Sequence, residues 1–308
     1  MSSAIVVDPA VDDEARRKLL YEGHIVVYSP RPSTLALCDF TDELCRKAFA
    51  PLDPELAQRE LPVQRFAEIL AELKPVFIHH SESKRLLGAV LDDFGCSPEH
   101  TFFDLPRLRT STGGGYLTSG IAYAFHPHRD TWYSAPPCQI NWWLPVRDIT
   151  PDNGLAFHTR YWSEGIKNGS RSYDYYRWIR ESRRDAAKHI GTDTREQPHP
   201  EEPVELESQV RPVPPRGGLI LFSGAQLHSS VPNASDRTRL SIDFRTVHLD
   251  DVAGHRGAPN VDSACTGTNL RDFLRRSDLA RMTDELAERY DAGPAEASAA
   301  LVYDPKLG

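Results

Sequence analysis

Apolar residues recur along this chain with two different periods, and the switch between them divides it. Between residues 39 and 93, Leu44, Phe49, Phe66, Leu70, Leu73, Phe77, Leu87 and Val90 return at helical spacing among charged residues, with prolines breaking the run. That spacing gathers the apolar side chains on one stripe and predicts a helical scaffold. Ahead of it, residues 12 to 20 predict a charged opening helix, and residues 23 to 28 a strand that stops at Pro30. After Gly95 the alternation shortens to two. Residues 101 to 112 and 116 to 125 read as strands joined by Gly113-Gly114-Gly115, followed by strands over 139 to 146 and 155 to 157. Pro151-Asp152-Asn153-Gly154 supplies the turn between the last two. Further strands are expected over 202 to 213, 218 to 222 and 239 to 247. Residues 268 to 290 then place Leu270, Phe273, Leu274, Met282 and Leu286 on a helical stripe that packs against the barrel or a second subunit, so a homodimer is a candidate assembly.

Helices first and many short strands afterwards point to a mainly β fold, a double-stranded β-helix (jelly-roll, cupin-like) core with flanking α-helices. One domain over 1–308 is expected: a helical part to residue 100, a core over about 101–249, and a helical C-terminal part over 250–308. The core is interrupted over about 160–203 by an aromatic and charged insertion that includes Tyr173, Tyr175, Tyr176 and Trp178. A long insertion in a β core commonly covers an active site, so this one is expected to act as a lid.

Composition narrows the partners. The chain has 308 residues, 40% of them hydrophobic, which is enough for a large core, and a formal net charge of -8 with pI near 5.8. That acidity argues against a nucleic-acid or anionic-membrane surface as the main partner. Cys38, Cys45, Cys96, Cys138 and Cys265 are odd in number and widely spaced, so free thiols are expected. No apolar run is long enough to span a bilayer and the first residues lack a signal-peptide pattern, so a soluble, cytoplasmic protein is expected.

The chemistry gathers at two places. His128 and Asp130 stand two apart beyond an apolar run, and on extended backbone residues i and i+2 share a face. His228 follows the strand at 218 to 222, and Arg239 comes eleven residues later, a separation that predicts a hairpin returning beside the metal. Period two then puts Arg239, Ser241, Asp243 and Arg245 on one face, inside the barrel, and Leu240, Ile242 and Phe244 on the other, under the helices. Two histidines and one carboxylate hold one face of an octahedral ion and leave three positions open, which suits non-haem Fe(II). A buried guanidinium behind them calls for an anion. His126 is the rival ligand: with His128 and His228 it would make a cupin-type three-histidine site of an isomerase or other metal enzyme that has no use for Arg239. A non-catalytic barrel that binds a partner is the remaining alternative.

His128-Arg129-Asp130, His228 and Arg239 resemble the iron triad and the 2-oxoglutarate arginine of the Fe(II)/2-oxoglutarate-dependent oxygenases, and their order and spacing resemble the phytanoyl-CoA dioxygenase branch. The likeness covers about residues 101 to 249. It implies Fe(II) on His128, Asp130 and His228, with 2-oxoglutarate and O2 as cosubstrates, and it implies that Arg239, Trp143 and Ser230 contact 2-oxoglutarate. It further implies oxidation of an unactivated C–H of a small-molecule metabolite with release of succinate and CO2. Because Asp130 is present where halogenating relatives have a small residue, hydroxylation is expected, with desaturation, ring closure and epimerisation open. For substrate contacts the candidates are Arg129, Trp132 and Tyr133 beyond the triad pair, and Gln139 and Asn141 on the next strand.

Overall fold

The computed structural model of the protein describes residues 4–122, 126–181, 190 and 195–291. Helix α1 (Asp13–Tyr21) begins at Asp12, whose carboxylate accepts the Ala15 N–H at 2.8 Å. Helix α2 (Pro32–Phe49) starts on a proline, where the missing N–H costs nothing. Helices α3 (Val63–His79) and α4 (Ser81–Asp93) are separated by His80, whose extended backbone breaks the helix while its side chain caps Glu82 N–H. Their stripes, among them Leu37, Phe66, Leu70, Phe77, Leu87 and Val90, are buried in one cluster with Leu240, Ile242 and Phe244.

The strands are β1 (Ile5–Val7), β2 (Ile25–Tyr28), β3 (Thr101–Phe103), β4 (Arg107–Ser111), β5 (Ile140–Pro145), β6 (Leu155–Phe157), β7 (Leu219–Ser223), β8 (His228–Ser230), β9 (Arg239–His248) and β10 (Leu274–Arg275). The large sheet runs β1-β2-β7-β5-β9-β3-β10, and β4 also lies on β9, end to end with β3. A small sheet pairs β6 with β8, extended by the bridges His128–His228 and Phe157–Val210. This is the expected jelly roll with flanking helices, and its long strand β9 joins two worlds. One face of β9 packs Leu240, Ile242 and Phe244 under the helices, while Arg239, Asp243 and Arg245 line a cavity between the sheets. All five cysteines are free thiols.

Several local expectations are corrected. Residues 116–122 are not a strand: Thr112 Oγ1 accepts Leu117 N–H and donates to Leu117 carbonyl, folding the loop back on the end of β4. Residues 123–125 of that expected strand lie outside the described residues. Over 202–213 only Val210 pairs, with Phe157, and Pro203 and Pro212 lack the N–H a strand needs. The chain from His228 to Arg239 is not a hairpin but a crossover from the small sheet to the large one. Asn233 ties it down, donating to the carbonyls of Ser111 and Arg237. The C-terminal stripe is not one helix; it divides into a 3-10 turn at Leu270–Asp272, β10 and a short helix at Asp284–Glu288, yet still buries Leu270, Phe273 and Met282. In the insertion, residues 182–189 and 191–194 lie outside the described residues, and the described part includes a short helix at Tyr175–Glu181. No helix among the described residues is long and apolar enough to cross a membrane.

Candidate active site

The two histidines come from neighbouring backbones. His128 and His228 exchange both main-chain hydrogen bonds at 2.9 Å, a single rung that fixes their side chains next to each other, with ring centroids 4.3 Å apart. Each ring hydrogen-bonds through Nδ1 to the carbonyl two residues earlier, His126 at 2.8 Å and Gln226 at 2.9 Å. A carbonyl only accepts, so Nδ1 carries the proton and Nε2 of each ring is left as a bare lone pair. Arg129 is extended, so Asp130 returns to the side of His128 before the chain turns into the 3-10 turn Asp130–Tyr133. Oδ1 of Asp130 lies 3.5 Å from His128 Nε2 and 3.9 Å from His228 Nε2. One ligand atom from each of the three residues lies within 4.8 Å of the others, and all three residues are buried.

The other Asp130 oxygen is fully engaged. Oδ2 accepts from Asn141 Nδ2 at 2.8 Å and Gln139 Nε2 at 2.9 Å, with Arg245 Nε at 3.6 Å. Burial alone would raise this carboxyl, but the Arg245 charge and the two imidazoles beside it hold it well below the usual carboxylate range. Burial, reinforced by His128, pushes the His228 imidazole down to about 3, so it stays neutral and ready to donate. His126 does not join the group. Its Nε2 is held by the Pro198 carbonyl at 2.8 Å, and the cluster of potential ligands is His128, Asp130 and His228.

Arg239 is buried at the start of β9 in the same cavity. Its Nη1 donates to the carbonyls of Asn153 and Gly154 in the turn before β6, at 2.9 and 3.3 Å, and its guanidinium lies 5.5 Å from the centre of the Trp143 ring. Its Nε is buried without a partner. Burial pushes this guanidinium down to about 10, with Arg109 adding to the effect and Asp243 opposing it. A buried cation with a donor to spare is the complement of a carboxylate.

The family model of phytanoyl-CoA dioxygenase (PhyH) matches residues 27–241, which include the triad and Arg239. The chain belongs to the phytanoyl-CoA dioxygenase family. No curated protein matches it in sequence. Among solved structures it is similar to EvdO2 from Micromonospora carbonacea var. aurantiaca, at 13% identity and TM-score 0.44 over 79% of this chain and 94% of that one. It is also similar to the apo form of the non-heme monooxygenase ThoJ, at 13% identity and TM-score 0.42 over 82% of this chain and 78% of that one. SnoN, the non-heme alpha ketoglutarate dependent epimerase from nogalamycin biosynthesis, follows at 12% identity and TM-score 0.35 over 76% and 84%. Likenesses this distant carry no reading of the reaction.

The residues present in this phytanoyl-CoA dioxygenase family member fit Fe(II), 2-oxoglutarate and O2: three donors with bare lone pairs, and in the same cavity the Arg239 guanidinium, its Nε without a partner, for the far carboxylate. Trp143 and Ser230 line that cavity of about 400 Å³. Among the expected substrate contacts, Tyr133, Gln139 and Asn141 line it too. Tyr133 sets its ring 5.5 Å from that of His128 and its hydroxyl on the Pro198 carbonyl. Arg129 and Trp132 point the other way. As the extended residue between two ligands, Arg129 faces Asp262 and the carbonyls of Ala225 and Tyr161, and Trp132 Nε1 also donates to Asp262. Both are wholly buried and hold the ligand segment rather than line the cavity.

Sequence reasoning missed Asp262, Asn269 and Lys74. Asp262 had no signal in its loop. Asn269 donates to Gln139 Oε1 at 2.9 Å. Lys74 lines the cavity on the side of Arg109 and Asp243, where burial pushes its ammonium down to about 7. A lysine four residues after Leu70 on the apolar stripe of α3 was the available sign.

Proposed function

We propose that this protein is an Fe(II)- and 2-oxoglutarate-dependent oxygenase that hydroxylates an unactivated C–H of a small-molecule metabolite. The reading is carried by one observation: His128, Asp130 and His228 bring their donor atoms together in the cavity that also holds the buried guanidinium of Arg239, whose Nε has no partner. His128, Asp130 and His228 would hold the iron, and Arg239, with Trp143 beneath it and Ser230 alongside, would hold 2-oxoglutarate. Iron with 2-oxoglutarate and O2 supplies the oxidising power, and the cosubstrate leaves as succinate and CO2. The chain's own part is to orient and to exclude water. Tyr133, Tyr173 and Trp178 wall the cavity with aromatic surface, and Tyr133 and Tyr173 pack edge to face at 5.4 Å. Such walls favour a substrate with an apolar or planar body, while Asn269, Gln197 and Arg195 offer polar contacts to its substituents. The carboxylate at Asp130 fills the position a halide would need, which favours hydroxylation.

Anaerobic titration with Fe(II) and 2-oxoglutarate together should give a weak visible charge-transfer band. A metabolite screen should then find compounds that trigger succinate release in air, with a product heavier by one oxygen. A protein that binds neither iron nor 2-oxoglutarate is not this enzyme, and a product isomeric with its substrate replaces hydroxylation by epimerisation.

A further inference from the structure

The two oxygens of Asp130 live in different surroundings. Oδ1 faces the imidazole nitrogens, whereas Oδ2 is turned into β5, where Gln139 precedes the strand and Asn141 lies within it, two residues on and on the same face. The carboxamide orientations follow by elimination. An ionised carboxylate oxygen only accepts, so each amide must offer it nitrogen. Gln139 is left with Oε1, which takes the Asn269 Nδ2 donor at 2.9 Å, and its own Nε2 also reaches Asn141 Oδ1 at 3.0 Å. Turning any of these amides over would set oxygen against oxygen or nitrogen against nitrogen. The three carboxamides and the carboxylate therefore form one oriented chain, with Arg245 behind Oδ2.

We propose that Gln139 and Asn141 are positioning residues that keep Asp130 on the metal through Oδ1 alone. The proposal rests on the functional reading above and adds to it. A carboxylate free to rotate about Cβ–Cγ can present both oxygens to an ion, and the second would take a position that an exogenous ligand needs. Hydrogen bonds to a charged acceptor are the stronger kind, and two of them on one oxygen resist that rotation. Gly224 leaves room for the arrangement, since a Cβ there would meet Gln139 Nε2 at 3.3 Å and Asp130 Cβ at 3.5 Å.

The test needs no substrate. The protein is loaded anaerobically with Fe(II) and 2-oxoglutarate and titrated with nitric oxide, which occupies the position O2 would use, and the complex is read by its electron paramagnetic resonance signal. Gln139→Met and Asn141→Leu each remove one donor, and Asn269→Leu frees the Gln139 amide from the far side without touching Asp130. Melting temperature and uptake of Fe(II) and 2-oxoglutarate identify the variants that remain folded and loaded. In those, the nitric oxide dissociation constant should rise on the order of tenfold for Gln139→Met or Asn141→Leu, and less for Asn269→Leu. Loaded variants that bind nitric oxide as the wild type does overturn the proposal while leaving the functional reading intact. A wild type that takes up neither Fe(II) nor 2-oxoglutarate overturns both.

Discussion

At the inner end of the cavity the ligand-bearing backbone is itself locked: His128 and His228 share a rung, their Nδ1 atoms are committed to carbonyls, and Asp130 Oδ2 is held by two carboxamides. The wall farther from the triad is assembled from segments far apart in sequence, with Tyr173 and Trp178 from the insertion and Phe273 from the C-terminal part. The first arrangement fixes a few atoms tightly for one chemistry. The second presents side chains on helices and turns, where exchange of one residue alters shape without disturbing the inner end. Loss of a ligand or of Arg239 at the inner end should therefore weaken metal or cosubstrate binding, whereas substitutions in the farther wall should alter stability and selectivity.

The largest effect is expected from Asp130→Ala. It removes one of three ligands, so Fe(II) affinity should fall by more than the roughly 10–100-fold typical of losing an outer partner of a ligand, and succinate formation should vanish. Anaerobic metal titration checks this, and near-normal binding would show that the triad is not the metal site.

Arg129 separates holding the segment from touching the ligand. Its guanidinium pairs with buried Asp262 at 3.0 Å, so Arg129→Met should lower stability by about 3 kcal/mol by leaving that carboxylate poorly matched. Protein that remains folded should still bind 2-oxoglutarate normally. A large change in 2-oxoglutarate binding at unchanged melting temperature would return Arg129 to the cavity.

Arg239→Ala should raise the 2-oxoglutarate needed for half-saturation about 10–100-fold, the loss expected for hydrogen bonds to a charged partner worth about 1.5–3 kcal/mol. Fe(II) binding without 2-oxoglutarate should change little. Unaltered 2-oxoglutarate binding would move the cosubstrate elsewhere.

This division also explains what the sequence could reveal. His128 and Asp130 are legible because one extended residue between them dictates a shared face, and the polar row of β9 is legible because a strand alternates. The same alternation, applied to Arg129 itself, sends it away from the ligands. The 228-to-239 crossover was not legible, because two strands that fit a hairpin fit a passage between sheets equally well. Asn233 decides between them through bonds to Ser111 and Arg237 that no local pattern announces. The oriented amides of Gln139, Asn141 and Asn269 depend on contacts between distant segments, so neither their partners nor their polarity could be read along the chain.

Lys74 gives the smallest effect. Burial pushes its ammonium down to about 7, with Arg109 adding to the effect, against about 10.4 in an unfolded chain. Between those values the unfolded chain binds the proton that the folded protein has released, so Lys74 makes stability rise with pH from about 7 to about 10; below pH 7 both states are protonated and the penalty is full. Lys74→Met should therefore be more stable than the wild type at pH 7, by roughly 1–2 kcal/mol once Asp243 and the partial exposure of Lys74 are allowed for, and the advantage should shrink toward pH 10. Denaturant melts at the two pH values read the difference, and an advantage that grows with pH would count against a depressed Lys74 ammonium.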